Sequence, residues 1–245
     1  RYIPFLKYLS QETGIHFELV FSDDYQQLLD GFHHKTIDIA RFGGLTYLDA
    51  HLNDNAQPLV MRDVDTQFVS YYLVATDNTA QSISDFKGKS FSFGSKLSTS
   101  GHLMPRHFLA EQNIIPETFF SEVLFSGAHD TTINWVKQGK VALGVANAEV
   151  LKHMYVTGEV SKQQVRILSQ TPPYADYVWA LQAELPRATA ETLIDAFLKL
   201  SIVNPEHEKI LMAVGAKAYL PAVESEFSSL ANVATELGLL KTKHH

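Results

Sequence analysis

Three adjacent hydroxyls, Ser98, Thr99 and Ser100, follow the short apolar run Phe91-Ser-Phe-Gly94 and precede Gly101. Leu103, Phe108 and Leu109 then recur at helical spacing. Ser, Thr and Gly are favoured where a helix begins, so the stretch predicts a strand, a tight turn and a helix. Such a turn aims backbone N–H groups and hydroxyls at one point, on the positive end of a helix dipole. That arrangement suits a tetrahedral oxyanion. An ordinary Ser-rich helix cap gives the same pattern, and both readings stand at this point.

Other chemistries fare worse. Ser98 or Ser100 with His129 and Asp130 has the residue types of a hydrolase triad. Gly-x-Ser-x-Gly is absent, however, and adjacent His and Asp on one loop do not orient each other as a triad requires. His33-His34 are neighbours that point apart, His102 and His107 are five residues apart, and no His-Glu-x-x-His occurs. These histidines read as surface polar residues, and neither a metal nor any other cofactor is expected. The chain has no cysteine, which removes disulfides, thiolate metal sites and Cys nucleophiles together.

At 245 residues, with 45% hydrophobic and 19% charged residues, the chain has the composition of a globular protein with a sizeable core. Against 27 Asp+Glu stand 20 Lys+Arg, a net charge of −7, and the longest basic cluster is Lys87-Gly-Lys89. A nucleic-acid partner is therefore not expected. No apolar run approaches the ~18 residues that span a bilayer. No signal peptide precedes Arg1, as expected of a mature or trimmed chain, and His244-His245 resemble the start of a purification tag.

Periodicity predicts the elements that position these residues. Helices are expected over Ile3–Thr13, from Asp23 or Asp24 to Phe32, over Leu45–Leu52 and, short, over Ser82–Phe86. Further helices are expected over Asp130–Gln138, Ala148–Tyr155, Ala190–Leu200, Pro205–Val214 and Ser225–Leu237. Strands are expected over Ile15–Phe21, Ile37–Phe42, Phe68–Ala75, Ser90–Gly94, Glu122–Phe125, Val141–Ala146, Val165–Leu168 and Tyr177–Leu181. Regular alternation predicts an α/β fold with largely parallel sheets. The extended stretches at 68–75 and 165–181 bracket a block that is itself α/β. This predicts two lobes, residues 1–75 with 178–245 and residues 76–177, around a cleft faced by the turns after Phe42, Phe93, Phe125 and Val145.

The stretch Phe91–Leu109, with Ser98-Thr-Ser-Gly101 at its centre, resembles the signature of the phosphate/phosphite/phosphonate-binding proteins of ABC importers. The resemblance continues in order through Ile37–Gly44, Gly127-Ala-His-Asp130, Gly139–Gly144, Thr171–Asp176 and the tail from Pro205 to Leu240. Within the family it is nearest a branch associated with selenate or a related oxyanion. It implies a type II periplasmic binding protein: two Rossmann-like lobes on two hinge strands that close on an anion and deliver it to an inner-membrane ABC permease. The implied protein is a monomer, periplasmic or lipid-anchored, and not an enzyme. A sensing ectodomain of a signalling system is the alternative.

Residue by residue, the resemblance places the anion-holding hydroxyls at Ser98, Thr99 and Ser100 and a contacting histidine at His129. It places two carboxylates that hold a ligand amine in one branch at Glu149 and Asp176. Helix capping after Asn147 is the plain alternative for Glu149. Family tyrosines that donate to a phosphonate fall at Phe42 and Phe68, with Tyr47, Tyr71, Tyr72, Tyr174 or Tyr177 as replacement donors. Arg41 stands where the nearest branch has an aromatic residue, and is expected to be solvated or to add charge near the site. Family members also carry a strand before the helix that begins at Ile3, and the native gene is expected to encode it.

Overall fold

The computed structural model describes residues 2–240, so the His244-His245 pair lies outside the described residues. The chain forms two compact units, residues 1–67 with 175–245 and residues 68–174.

The first unit opens with α1 (Ile3–Thr13), started by Pro4 and stopped by Gly14 at φ 71°. Helix α2 (Tyr25–His33) is capped by Asp24, whose carboxylate accepts the Gln27 N–H. Then come β1 (Ile39–Phe42), α3 (Gly44–Asp54) and β2 (Gln57–Arg62). The second unit runs β3 (Ser70–Ala75), β4 (Ser90–Phe93), α4 (Met104–Glu111), α5 (Pro116–Phe119) and β5 (Glu122–Phe125). It continues with α6 (His129–Lys137), β6 (Leu143–Asn147), α7 (Ala148–Thr157) and β7 (Val165–Gln170). The chain returns to the first unit through β8 (Val178–Leu181), α8 (Arg187–Leu198), α9 (Pro205–Ala213), β9 (Tyr219–Pro221) and α10 (Ser228–Glu236).

In the first unit the sheet order is β1-β8-β2-β9, and each neighbouring pair is antiparallel. The expectation of largely parallel sheets fails there for a topological reason. The β1–α3–β2 crossover makes β1 and β2 mutually parallel, but β8, arriving from the second unit, runs between them in the opposite direction. The second unit has the order β5-β4-β6-β3-β7, with β5, β4 and β6 parallel and β3 antiparallel to both its neighbours. Strand β3, expected to close the first lobe, is thus part of the second unit's sheet. It sends Tyr72 and Val74 into one apolar layer, with Phe91, Phe93 and Leu109. Leu73 joins the other, with Ile133, Val136 and Leu151.

The predicted strand Ile15–Phe21 does not form. A strand needs a neighbour for its N–H and C=O groups, and no described strand lies alongside it. A groove of about 860 Å³ is lined by residues of this segment, Ile15 and Phe17 among them, and by Ile39 of β1 and Leu181 of β8. Phe68 lies just outside β3, joined to Tyr174 by an isolated antiparallel bridge.

Candidate anion-binding site

Because β4, β5 and β6 are parallel, their carboxyl ends lie on one edge of the second unit's sheet, where open α/β sheets carry ligands. After β4 the Gly94 N–H donates to the Gly101 carbonyl (2.8 Å), folding the hydroxyl stretch back onto the strand end. Thr99–Leu103 is not the first α-helical turn expected but a π turn, which leads directly into α4. Ser98 caps it: its Oγ accepts the Gly101 N–H at 2.9 Å, and its carbonyl accepts the Leu103 N–H at 3.1 Å.

Ser98, Thr99 and Ser100 are each 1% exposed. The Ser100 Oγ has no hydrogen-bond partner among the described residues. Its backbone is anchored instead: Ser70 Oγ donates to the Ser100 carbonyl at 2.6 Å. Since that hydroxyl proton is committed to a carbonyl, Tyr174 is the donor in the 2.5 Å contact between its hydroxyl and Ser70 Oγ. Tyr174 therefore braces the turn through Ser70 rather than offering its own proton to a ligand. Ser70 was not among the expected site residues; its signal is one small polar residue in the apolar run Phe68–Ala75.

His129 opens α6. The Asn147 N–H donates to its Nδ1 at 3.2 Å, and its Nε2 stands 3.5 Å from Ser98 Oγ. Burial pushes its pKa down to about 4, against a smaller upward pull from Asp130. It is a neutral hydrogen-bond donor at neutral pH, not a cation. Gly101 matters for packing rather than backbone freedom: a Cβ there would meet His129 Cε1 at 2.9 Å and Ser98 Oγ at 3.0 Å. Phe68, also in this unit, packs on Tyr174 with ring centroids 6.2 Å apart.

Glu149 sits in the first turn of α7, and its N–H is capped by Asn147 Oδ1 at 2.8 Å. Its carboxylate takes the Lys152 ammonium at 2.8 Å. The remaining expected residues belong to the first unit. Phe42 is fully buried against Phe32, ring centroids 5.1 Å apart. Asp176, 1% exposed, accepts the Gly44 N–H at 3.1 Å and donates its own N–H to the Asp65 carbonyl.

Arg41 is not freely solvated: its guanidinium lies 4.1 Å over the Tyr177 ring and 3.7 Å from Asp65. Of the other tyrosines, Tyr47 is buried against Phe227, and the Tyr72 hydroxyl is committed to the Pro105 carbonyl. Two histidines read as surface residues are not. His102 is 3% exposed, and His33 is largely buried between Asp49 and Asp54. Among the described residues no group of His, Cys, Asp and Glu could hold a metal ion.

The model of a family described as "ABC transporter, phosphonate, periplasmic substrate-binding protein" matches residues 1–227. The chain belongs to that family. Its members are substrate-binding components of ABC importers, not enzymes, so the triad geometry weighed for Ser98, His129 and Asp130 has no reaction to serve. A probable ABC transporter phosphite-binding protein, PhnD1, of Prochlorococcus marinus is 29% identical over 98% of this chain and 85% of the relative. The phosphonates-binding periplasmic protein of Escherichia coli is 24% identical over 88% of this chain and 65% of that protein. The solved structure of PhnD1 with methylphosphonate superposes with a TM-score of 0.89 at 28% identity, covering 98% of this chain and 93% of the other. The binding protein thus has the α/β type II periplasmic fold. Among its described residues no helix is long and apolar enough to cross a membrane.

Proposed function

We propose that this binding protein captures a phosphonate or phosphite on the hydroxyl turn of its second unit and delivers it to an inner-membrane ABC permease. The observation that carries the reading is Ser100 Oγ, buried with no hydrogen-bond partner among the described residues. Leaving a buried hydroxyl unsatisfied costs ~1–3 kcal/mol, and a charged oxygen acceptor offsets that cost. Ser98, Thr99 and the neutral His129 Nε2–H supply further donors around the same turn. The methylphosphonate held by PhnD1 supports the same ligand class.

Two features of the second unit narrow the ligand. Glu149 already holds a protein donor, the Lys152 ammonium, which favours a ligand without an ammonium group. Phe68, on the unit that carries the turn, favours a hydrogen or small alkyl substituent on phosphorus over a fourth oxygen. The protein acts as a periplasmic or lipid-anchored monomer, with residues 68–174 as the anion-holding unit. Isothermal calorimetry with methylphosphonate, phosphite, phosphate, sulfate and selenate tests the reading. Binding of the first two in preference to the rest is expected, and no heat with any of the five overturns it.

A further inference from the structure

His102 belongs to the π turn, and its side chain is buried. The ring lies edge-on to both Phe93 and Phe125, with centroids 5.0 Å from each. Its Nδ1 is 2.8 Å from the Lys96 carbonyl, an acceptor only, so Nδ1 carries the proton. Its Nε2 accepts the Arg106 Nε–H at 3.0 Å. Arg106 in turn lies 4.8 Å over the Phe93 ring and forks onto Glu117 of α5 with contacts of 2.7 and 3.0 Å. Both nitrogens are therefore used, in the tautomer opposite to that of His129.

Lys96 lies two residues before Ser98, in the loop that delivers the chain to the hydroxyl turn. We infer that His102 is a positioning residue for anion binding: it ties this loop to the π turn, and Arg106 with Glu117 holds the ring in place from α4 and α5. Without the tie, Ser98 keeps its local cap but loses the constraint on the direction from which the chain enters it. The hydroxyls then sample orientations that do not converge, and the ligand must supply the ordering free energy. Only the affinity part of this inference rests on the anion reading given above.

The test compares His102→Phe, which keeps a ring between Phe93 and Phe125 but removes both nitrogens, with His102→Asn, whose amide nitrogen can reach the Lys96 carbonyl. Amide hydrogen exchange of Gly101 and Leu103 is followed in ligand-free protein, and methylphosphonate affinity is measured by calorimetry. His102→Phe is expected to speed exchange at both amides and weaken binding about tenfold. His102→Asn is expected to restore both to within about threefold of wild type. Nitrogen-15 shifts of wild type should show the Nδ1–H tautomer.

Wild-type exchange rates in His102→Phe, failure of His102→Asn to restore them, or the Nε2–H tautomer would each overturn the positioning role. A wild-type protein that binds no anion would retire the anion reading, and the exchange rates and tautomer would still decide what His102 does to the turn.

Discussion

The backbone N–H of Asn147 donates to Nδ1 of His129 across 3.2 Å, and this contact decides which proton the imidazole keeps. With Nδ1 accepting, the neutral ring carries its hydrogen on Nε2, on the Ser98 side. Protonation would place a second N–H against the Asn147 N–H inside a buried site, which agrees with a pKa near 4 for His129. In the unfolded chain a histidine titrates near ~6.5. Between those values the unfolded state binds the extra proton and the native state does not, so stability falls as pH drops from about 6.5 towards about 4 and levels off below. The contribution is of order 3 kcal/mol across that window. His129→Gln, which does not titrate, is expected to flatten the profile of urea-unfolding free energy between pH 7 and pH 4. A profile as steep as wild type would show that His129 is not held neutral.

Gly101 is required for space. Its Cα approaches Gly94, and an added methyl would meet the His129 ring and the Ser98 hydroxyl at once, at 2.9 and 3.0 Å. Neither neighbour can yield without moving a donor of the proposed site. Gly101→Ala is expected to cost ~1–3 kcal/mol of stability, as overpacking does, and to weaken methylphosphonate binding about tenfold or more. Chemical denaturation and calorimetry on the same preparation check both. A variant with unchanged affinity would mean that the turn tolerates the displacement and that the hydroxyls need no such exact placement.

Much of this was legible from local pattern. The strand–turn–helix around Ser98-Thr-Ser-Gly101 reads directly from capping chemistry, and Asp24 and Gly14 mark helix ends where they fall. What escaped depends on residues distant in sequence. Strand β2 hides behind Pro58, a strand breaker that is tolerated beside the register shift between Pro58 and Val60. Ile15–Phe21 alternates as a strand should, but pattern alone supplies no hydrogen-bonding neighbour. Ser70 becomes a support of the site only because β3 brings it to Ser100, thirty residues on. His102 looks like a surface histidine until Phe93, Phe125 and Arg106 enclose it.

Ser100 separates folding from binding. Its Oγ makes no hydrogen bond among the described residues, while its carbonyl, which holds Ser70, survives side-chain truncation. Removing an unsatisfied buried hydroxyl should leave stability within about 0.5 kcal/mol of wild type, or raise it slightly. Removing a donor to a charged ligand oxygen should cost ~1.5–3 kcal/mol of binding, about 10- to 100-fold. Ser100→Ala is therefore expected to keep its melting temperature and lose affinity for methylphosphonate. Unchanged affinity would place the anion away from this hydroxyl.

The first unit has its own buried charge system, and it can be tested without any ligand. Arg62, 3% exposed, forks onto Asp65 with contacts of 2.7 and 2.5 Å and donates to the Val214 carbonyl at 2.8 Å. Asp65 also faces Arg41 and, through its backbone carbonyl, holds the Asp176 N–H. Truncating one partner of such a pair leaves the other charge buried and uncompensated, which costs ~3–5 kcal/mol, whereas replacing both with apolar residues of similar volume is close to neutral. Asp65→Ala is thus expected to destabilise strongly in urea unfolding, and Asp65→Leu with Arg62→Met to recover much of the loss. Failure of the double variant to recover would show that the Arg62 bond to Val214 and the Asp65 contact to Arg41, rather than their mutual attraction, hold this end of β2 in place.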